Sequence, residues 1–217
     1  MNFDNILIKF KQNYFQMRHF NFKNYLLILI CILIVSPLFS QDNELQLSDK
    51  KFRLDLEPAT LFLGGAGLSL MYALDEEKKL NLGVYFLSCD VPNFSKKGIF
   101  ENVNDDTDIR IGFEFALTGR YKLELFKNIE SNPYIGFIFG WQFFDIKQPT
   151  DMESFRTSTW IFTPYLGYEI YLYKQMLYVH PHLRGVLYFG SNHEIPTRPE
   201  KLSKTYLLPQ IGLGLRL

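Results

Sequence analysis

The sequence predicts an all-β fold: an eight-stranded antiparallel up-and-down transmembrane β-barrel behind an N-terminal signal peptide. Three observations predict it. Beyond residue 50 the apolar residues recur at period 2, the spacing of strands with unlike faces. The connections alternate between short and long, so the short turns gather at one end. An apolar run near the start has the length and flanks of an export signal rather than of a spanning helix. The 217 residues carry 23 Lys plus Arg and 23 Asp plus Glu. That balance leaves no polyanion-binding footprint, so no nucleic-acid partner is expected. With 21% charged residues evenly spread, the chain is also not a helical membrane bundle.

The leader comes first. Residues 25–35 are apolar without interruption, well short of the roughly 20 residues a spanning helix needs. Arg18 and Lys23 precede the run, Pro37 breaks it, and Ser40 offers a small residue at its exit. This pattern predicts a signal peptide over residues 1–40 with cleavage after Ser40. Met17 offers a second start with a more ordinary basic region. Cys31 sits behind bulky Ile30 inside the apolar run, which is not the setting of a lipoprotein cysteine. Processing removes more basic than acidic residues, leaving the chain mildly acidic with Cys89 alone, so an internal disulfide is excluded. Residues 41–50 form an N-terminal extension and 51–217 the barrel.

Each strand follows from its alternation. Residues 52–63 and 66–74 are the first two, with Gly64 and Gly65 as the turn between them. In the third, Leu80, Leu82, Val84 and Phe86 oppose Asn81, Gly83 and Tyr85. The clearest run is 109–124. One face carries Ile109, Ile111, Phe113, Phe115 and Leu117, and the other Arg110, Glu114, Arg120, Lys122 and Glu124. No phase slip is apparent. Residues 134–143, 160–172 and 177–189 repeat the pattern, and Gln210 to Leu217 close it. Pro164 and Pro181 fall within strands and predict a bulge or twist at each, since proline removes a ladder donor.

Alternation alone leaves open which face is wet. A soluble lipocalin-like barrel turns its apolar face inward. Here the polar face mixes large charges of both signs with glycines, which suits a narrow interior filled by ion pairs. The other face carries more Phe, Trp, Tyr and Leu than a small lumen holds. The C-terminus, with Gln210, Gly212, Leu215 and Leu217, resembles the terminal recognition strand of bacterial outer-membrane barrels, although Leu stands where Phe is usual. Over residues 51–217 the chain resembles small eight-stranded outer-membrane barrels such as outer membrane protein X and the barrel of outer membrane protein A. It is also similar to barrel proteins of the Bacteroidota. The resemblance implies insertion by the barrel-assembly machinery and contact with outer-membrane lipid and lipopolysaccharide. It further implies a filled, non-conducting lumen, with a role in envelope structure or in contacting an envelope protein through the longer loops. A lipid-modifying barrel enzyme is the alternative, and a soluble periplasmic binding barrel the third.

The lumen is expected to collect Arg53, Asp55, Glu57, Arg110, Glu114, Arg120, Lys122, Glu124, Glu169, Arg184 and Arg216. Their near-matched signs read as an ion-pair network that sets strand register. Glu169 falls opposite His180 or His182, and two imidazoles with a carboxylate are a candidate metal or acid–base cluster. Ser191, His193 and Glu194 hold nucleophile and base types in one loop, yet sequence neighbours seldom form a triad. Glu101, Asp105, Asp106 and Asp108 are acidic without the spacing of a calcium loop. Arg198, Lys201 and Lys204 are candidates for lipid phosphates. No catalytic residue and no cofactor are assigned.

Overall fold

The computed structural model describes residues 50–101, 103–123, 132–149, 155–173, 176–189, 201–202 and 205–217. In chain order the elements are β1 (Phe52–Leu56), α1 (Pro58–Phe62), β2 (Ala66–Ala73), β3 (Leu80–Asp90), α2 (Asn93–Ile99) and β4 (Phe100–Glu101). β5 (Asp108–Lys122), β6 (Asn132–Lys147), β7 (Phe155–Tyr173), β8 (Leu177–Phe189), β9 (Lys201–Leu202) and β10 (Thr205–Arg216) follow. Eight strands close an antiparallel barrel in the order β1, β10, β8, β7, β6, β5, β3, β2, and β4 pairs with β9 in a separate two-stranded sheet.

The alternation read from the sequence becomes an alternation of burial, and its sense is inverted relative to a water-soluble barrel. Leu117 and Leu166 are 58% and 57% exposed, while Arg53, Asp55 and Glu169 are 3%, 3% and 2% exposed. In water each such outward side chain forfeits roughly 1.5–3 kcal/mol of burial. The outward rings pack across neighbouring strands: Phe139 stacks on Trp160 at 5.5 Å and on Phe189 at 6.0 Å, and Trp160 meets Trp141 edge-on at 4.6 Å. The soluble-barrel alternative would need the opposite orientation.

The first strand is shorter than its pattern suggested. It ends at Leu56, and the chain enters α1 at Pro58. Proline cannot donate to the next ladder rung, and its fixed φ suits a first helical position. Gly64 and Gly65 therefore do not form a two-residue hairpin turn. They end the helix, with Gly65 N–H donating to Thr60 O at 3.0 Å and Gly64 at a φ of 69°.

The second correction lies in β5, where the phase does slip. Its register shifts between Ile111 and Phe113 against β6, so Gly112 is an extra residue in the ladder. Below it Glu114, Ala116, Thr118 and Arg120 point inward as expected. Above it Ile109 and Ile111 point inward instead, and both are buried. Arg110, expected in the lumen, consequently sits on the outer face, where it bonds Asp90 Oδ1 at 2.7 Å and Gly64 O at 3.3 Å.

Pro164 and Pro181 produce no bulge. The β7–β8 register is the same from Phe162 opposite Leu187 to Ile170 opposite Val179, and the ladder merely lapses beside each proline. The last strand begins at Thr205 rather than Gln210 and accommodates Pro209 as well.

The start of β1, the end of β10 and the β2–β3 turn share one end. There Asp75 holds the β2–β3 turn, accepting from Lys79 N at 3.0 Å and Leu80 N at 2.8 Å. At the other end the long connections fold inward. α2, β4 and β9 bring Ile99, Phe100, Val103 and Leu202 over Ile109, Ile111, Phe144 and Ile146, a small apolar core within the barrel mouth. The buried Lys96 ammonium helps hold it, donating to Thr107 O at 2.6 Å. The predicted leader, residues 1–40, with its start and cleavage positions, and residues 41–49 of the N-terminal extension lie outside the described residues.

Candidate functional site

The polar interior is built in two tiers below that apolar core. In the lower tier, β1 contributes Arg53 and Asp55, β5 Arg120, β7 Glu169 and β10 Arg216. Glu169 is the hub. Arg53 bonds its Oε1, Arg120 Nη1 reaches the same oxygen at 3.1 Å, and Arg216 Nη2 reaches Oε2 at 3.1 Å. Tyr171 OH donates to Oε2 at 2.6 Å. Arg120 Nη2 also bonds Asp55 Oδ2 at 2.7 Å, and Tyr178 OH donates to the other Asp55 oxygen. The guanidinium of Arg120 lies over the Tyr134 ring at 4.3 Å, and that of Arg216 over Tyr171 at 4.6 Å.

The upper tier joins Arg184 to Glu57, with Tyr85 bridging: its hydroxyl donates to Glu57 Oε1 at 2.9 Å and accepts from Arg184 Nη1 at 3.1 Å. Glu114 accepts from the Gln142 amide. Across both tiers four buried arginines face four buried carboxylates. Such matching is what a low-dielectric lumen requires, because an unpaired charge there costs several kcal/mol. The residual voids are small. One of about 10 Å³ touches Asp55, Glu57, His180 and Arg184, and one of about 60 Å³ lies beside Glu114 and Gln142.

The structure brings the candidate metal residues near one another without joining them. The β7–β8 register puts Glu169 level with His180, but both carboxylate oxygens of Glu169 are engaged by arginines and Tyr171. His180 Nδ1 is 3.2 Å from Tyr134 OH, and its Nε2 is 3.8 Å from Asp55 Oδ2. His182 Nδ1 faces the His180 carbonyl at 3.0 Å, and its Nε2 faces the Gln210 side-chain amide at 3.2 Å. The imidazole rings stack at 5.2 Å. Among the described residues no group of three or more His, Cys, Asp or Glu side chains has the spacing of a metal site.

The other sequence candidates are dispersed. Lys122 is half-buried at the short-turn end. Asp105 is paired with Lys97 at 2.9 Å on the surface of the long-loop end, and Glu101 lies in β4. Glu124, Ser191, His193, Glu194, Arg198 and Lys204 lie outside the described residues, as does the side chain of Lys201.

The C-terminal residues complete the wall. Gly212 passes beneath the His180 ring, where a Cβ would stand 2.1 Å from Nε2. Leu215 sits opposite Leu54 of β1, and Leu217 N–H donates to Phe52 O at 2.9 Å, joining the last strand to the first. Tyr85, Tyr134, Tyr165, Tyr171 and Tyr178 were not singled out by sequence. Their signal was present, since each falls on the polar phase of its strand. Tyr165 donates to Gly119 O at 3.1 Å, and the other four touch the charged residues or His180.

No protein-family model and no curated protein matches the chain. Among solved structures, the N-terminal β-barrel domain of Pseudomonas aeruginosa OprF matches with a TM-score of 0.47 at 12% identity, over 77% of this chain and 98% of that one. Neisserial surface protein A matches with 0.49 at 11% identity, over 76% and 96%. A major outer membrane protein from Thermus thermophilus gives 0.43 at 16%, over 77% and 98%. The first of these is described as a β-barrel domain and the third as an outer membrane protein, and none supports the Bacteroidota lineage.

Proposed function

We propose that this chain is an outer-membrane barrel with a filled, non-conducting lumen, acting in envelope structure or in contacts made by its long-loop end. The observation that carries the reading is the inversion of the wall. Large apolar side chains point outward on all eight strands while the buried charges pair inside. A bilayer removes the penalty of the outward face, and a closed barrel satisfies strand backbones where lipid offers no hydrogen bonds. Outer-membrane lipid and lipopolysaccharide are then its surroundings, reached after export and cleavage behind Ser40. The barrel-assembly machinery is the partner that inserts it, reading the strand that ends in Leu215 and Leu217. An envelope protein is the partner suited to the long-loop end.

The test uses the chain's two tryptophans. Trp141 and Trp160 both lie on the outward face of adjacent strands. In vesicles of phosphatidylcholine brominated on its acyl chains, their fluorescence is expected to be quenched relative to unbrominated vesicles. Folded protein should migrate differently on a gel before and after boiling. Unquenched tryptophans, or release of the native protein by osmotic shock, would overturn the reading.

A further inference from the structure

Among the described residues the wall between β1 and β10 is incomplete. The two strands pair only from Arg53 opposite Arg216 to Leu56 opposite Leu213, while β10 continues to Thr205 beside β8. Over that stretch the chain beyond Leu56 has left the sheet as α1. Arg216 N–H donates to Met176 O and Leu217 N–H to Phe52 O. Backbone groups of successive strand residues point to opposite sides, so the odd-numbered residues of β10 face the β1 side. Leu207, Pro209 and Ile211 thus turn a backbone edge toward the gap. Among the described residues no backbone hydrogen bond crosses it there. Pro209 lacks the N–H that this edge would otherwise present, which is where a sheet tolerates proline.

β1 vacates one strand position there, where strands are normally spaced about 4.7–4.9 Å apart, and α1 lines one side of the opening. A single extended methylene chain has a similar cross-section. An apolar cavity runs through it, from Leu87, Cys89, Ile99 and Ile111 inside the barrel to Leu207 and Ile211 on the outer face. The inner four are buried, and Leu207 and Ile211 are exposed. Polar side chains along the cavity are already engaged: Thr60 with Glu57 O, Asp90 with Arg110, and Gln210 with His182. Leu207 and Ile211 at the outer mouth belong to the same outward apolar belt as Leu183 and Leu213.

We propose that this slot is a lateral binding site for one acyl chain of a membrane lipid, which enters from the bilayer between β1 and β10 and lies against Leu87, Cys89, Ile99 and Ile111. An added peptide strand suits the edge poorly, because Pro209 removes a donor at its centre. An acyl chain asks only for apolar walls and lateral access. The inference rests on the membrane reading above.

The experiment places the barrel in phosphatidylcholine vesicles doped with phosphatidylcholine bearing a mid-chain diazirine, followed by irradiation and mapping of adducts by mass spectrometry. Adducts are expected on the belt residues Leu117 and Leu166 and also on the inner residues Leu87, Cys89, Ile99 and Ile111. Ala59→Trp, at an exposed position beside the cavity, is expected to lose the inner adducts and keep those of the belt. Leu207→Trp serves as a second plug if the first variant loses heat-modifiable migration. Belt adducts without inner ones overturn this site and leave the membrane reading standing, as do inner adducts indifferent to both plugs. Absence of adducts from belt and interior overturns both.

Discussion

Glu169 receives Arg53, Arg120, Arg216 and Tyr171 on two oxygens, so its charge is shared among three strands besides its own. Glu169→Gln leaves the three guanidinium groups with Asp55 as their only nearby buried counter-charge. Removing one partner of a buried ion pair costs about 3–5 kcal/mol. The variant is expected to unfold at lower urea concentration than wild type in the same detergent, by a shift of that size. An unchanged midpoint would mean the lumen charges are solvated rather than paired. Sequence register placed Glu169 level with a histidine correctly, but the carboxylate turns to the arginines. Which side chains reach it depends on barrel closure, not on local spacing.

Asp75 offers a pH-dependent counterpart at the short-turn end. Slight burial pushes its carboxyl upward, but the N–H groups of Leu80 and Lys79 outweigh that and hold it below the usual carboxylate range. A depressed folded-state pKa contributes stability above the unfolded value, about 3.9, and loses it as pH falls through the folded value. The stability difference between wild type and Asp75→Asn is therefore expected to be largest at neutral pH and to shrink below about pH 4. Thermal melts in detergent across that window check it, and a pH-independent difference would discard the turn's carboxylate as the cause.

At the scale of elements, β5 turns on Gly112. The inserted residue sends Ile109 and Ile111 into the apolar mouth and Arg110 to the rim. Deleting Gly112 removes the extra residue, so Ile111 directly precedes outward Phe113, and an unbroken alternation keeps Ile109 and Ile111 inward and Arg110 outward. The deletion is therefore expected to unfold near the wild-type midpoint, whereas Gly112→Ala adds a Cβ that meets the movable Asp145 carboxylate at 2.5 Å. Unfolding midpoints of the two variants check this, and a deletion midpoint far below that of wild type would mean that the bulge itself, rather than the facing of Ile109 and Ile111, holds the rim. The strand itself was legible in its alternation. The slip was not, because Ile109, Ile111 and Phe113 are all apolar and mask a change of face. Pro58 was a legible signal of a different kind, and its restriction on the ladder explains why β1 stops early.

For the whole molecule, the lumen divides into a charged lower part and an apolar mouth closed by α2, β4 and β9. Its polar voids, of about 10 and 60 Å³, hold one to a few waters, since each needs at least about 10–15 Å³. On the proposed reading no continuous aqueous path crosses the lumen. Wild-type protein in planar bilayers is expected to show no steady conductance, and stable open channels would contradict the filled lumen.

The sequence by itself determined the strands, the phase of most of them and the sorting of charges away from the aromatic face. Those are properties of alternate residues along a pleated chain, and they survive without knowledge of any partner strand. Tertiary structure alone decided which charges meet, because the partners lie far apart in the chain: Arg53 and Glu169 by 116 residues, Glu57 and Arg184 by 127. It also decided where the wall stays open. The length over which β1 accompanies β10 depends on closing the barrel, and the slot between them exists only once it is closed.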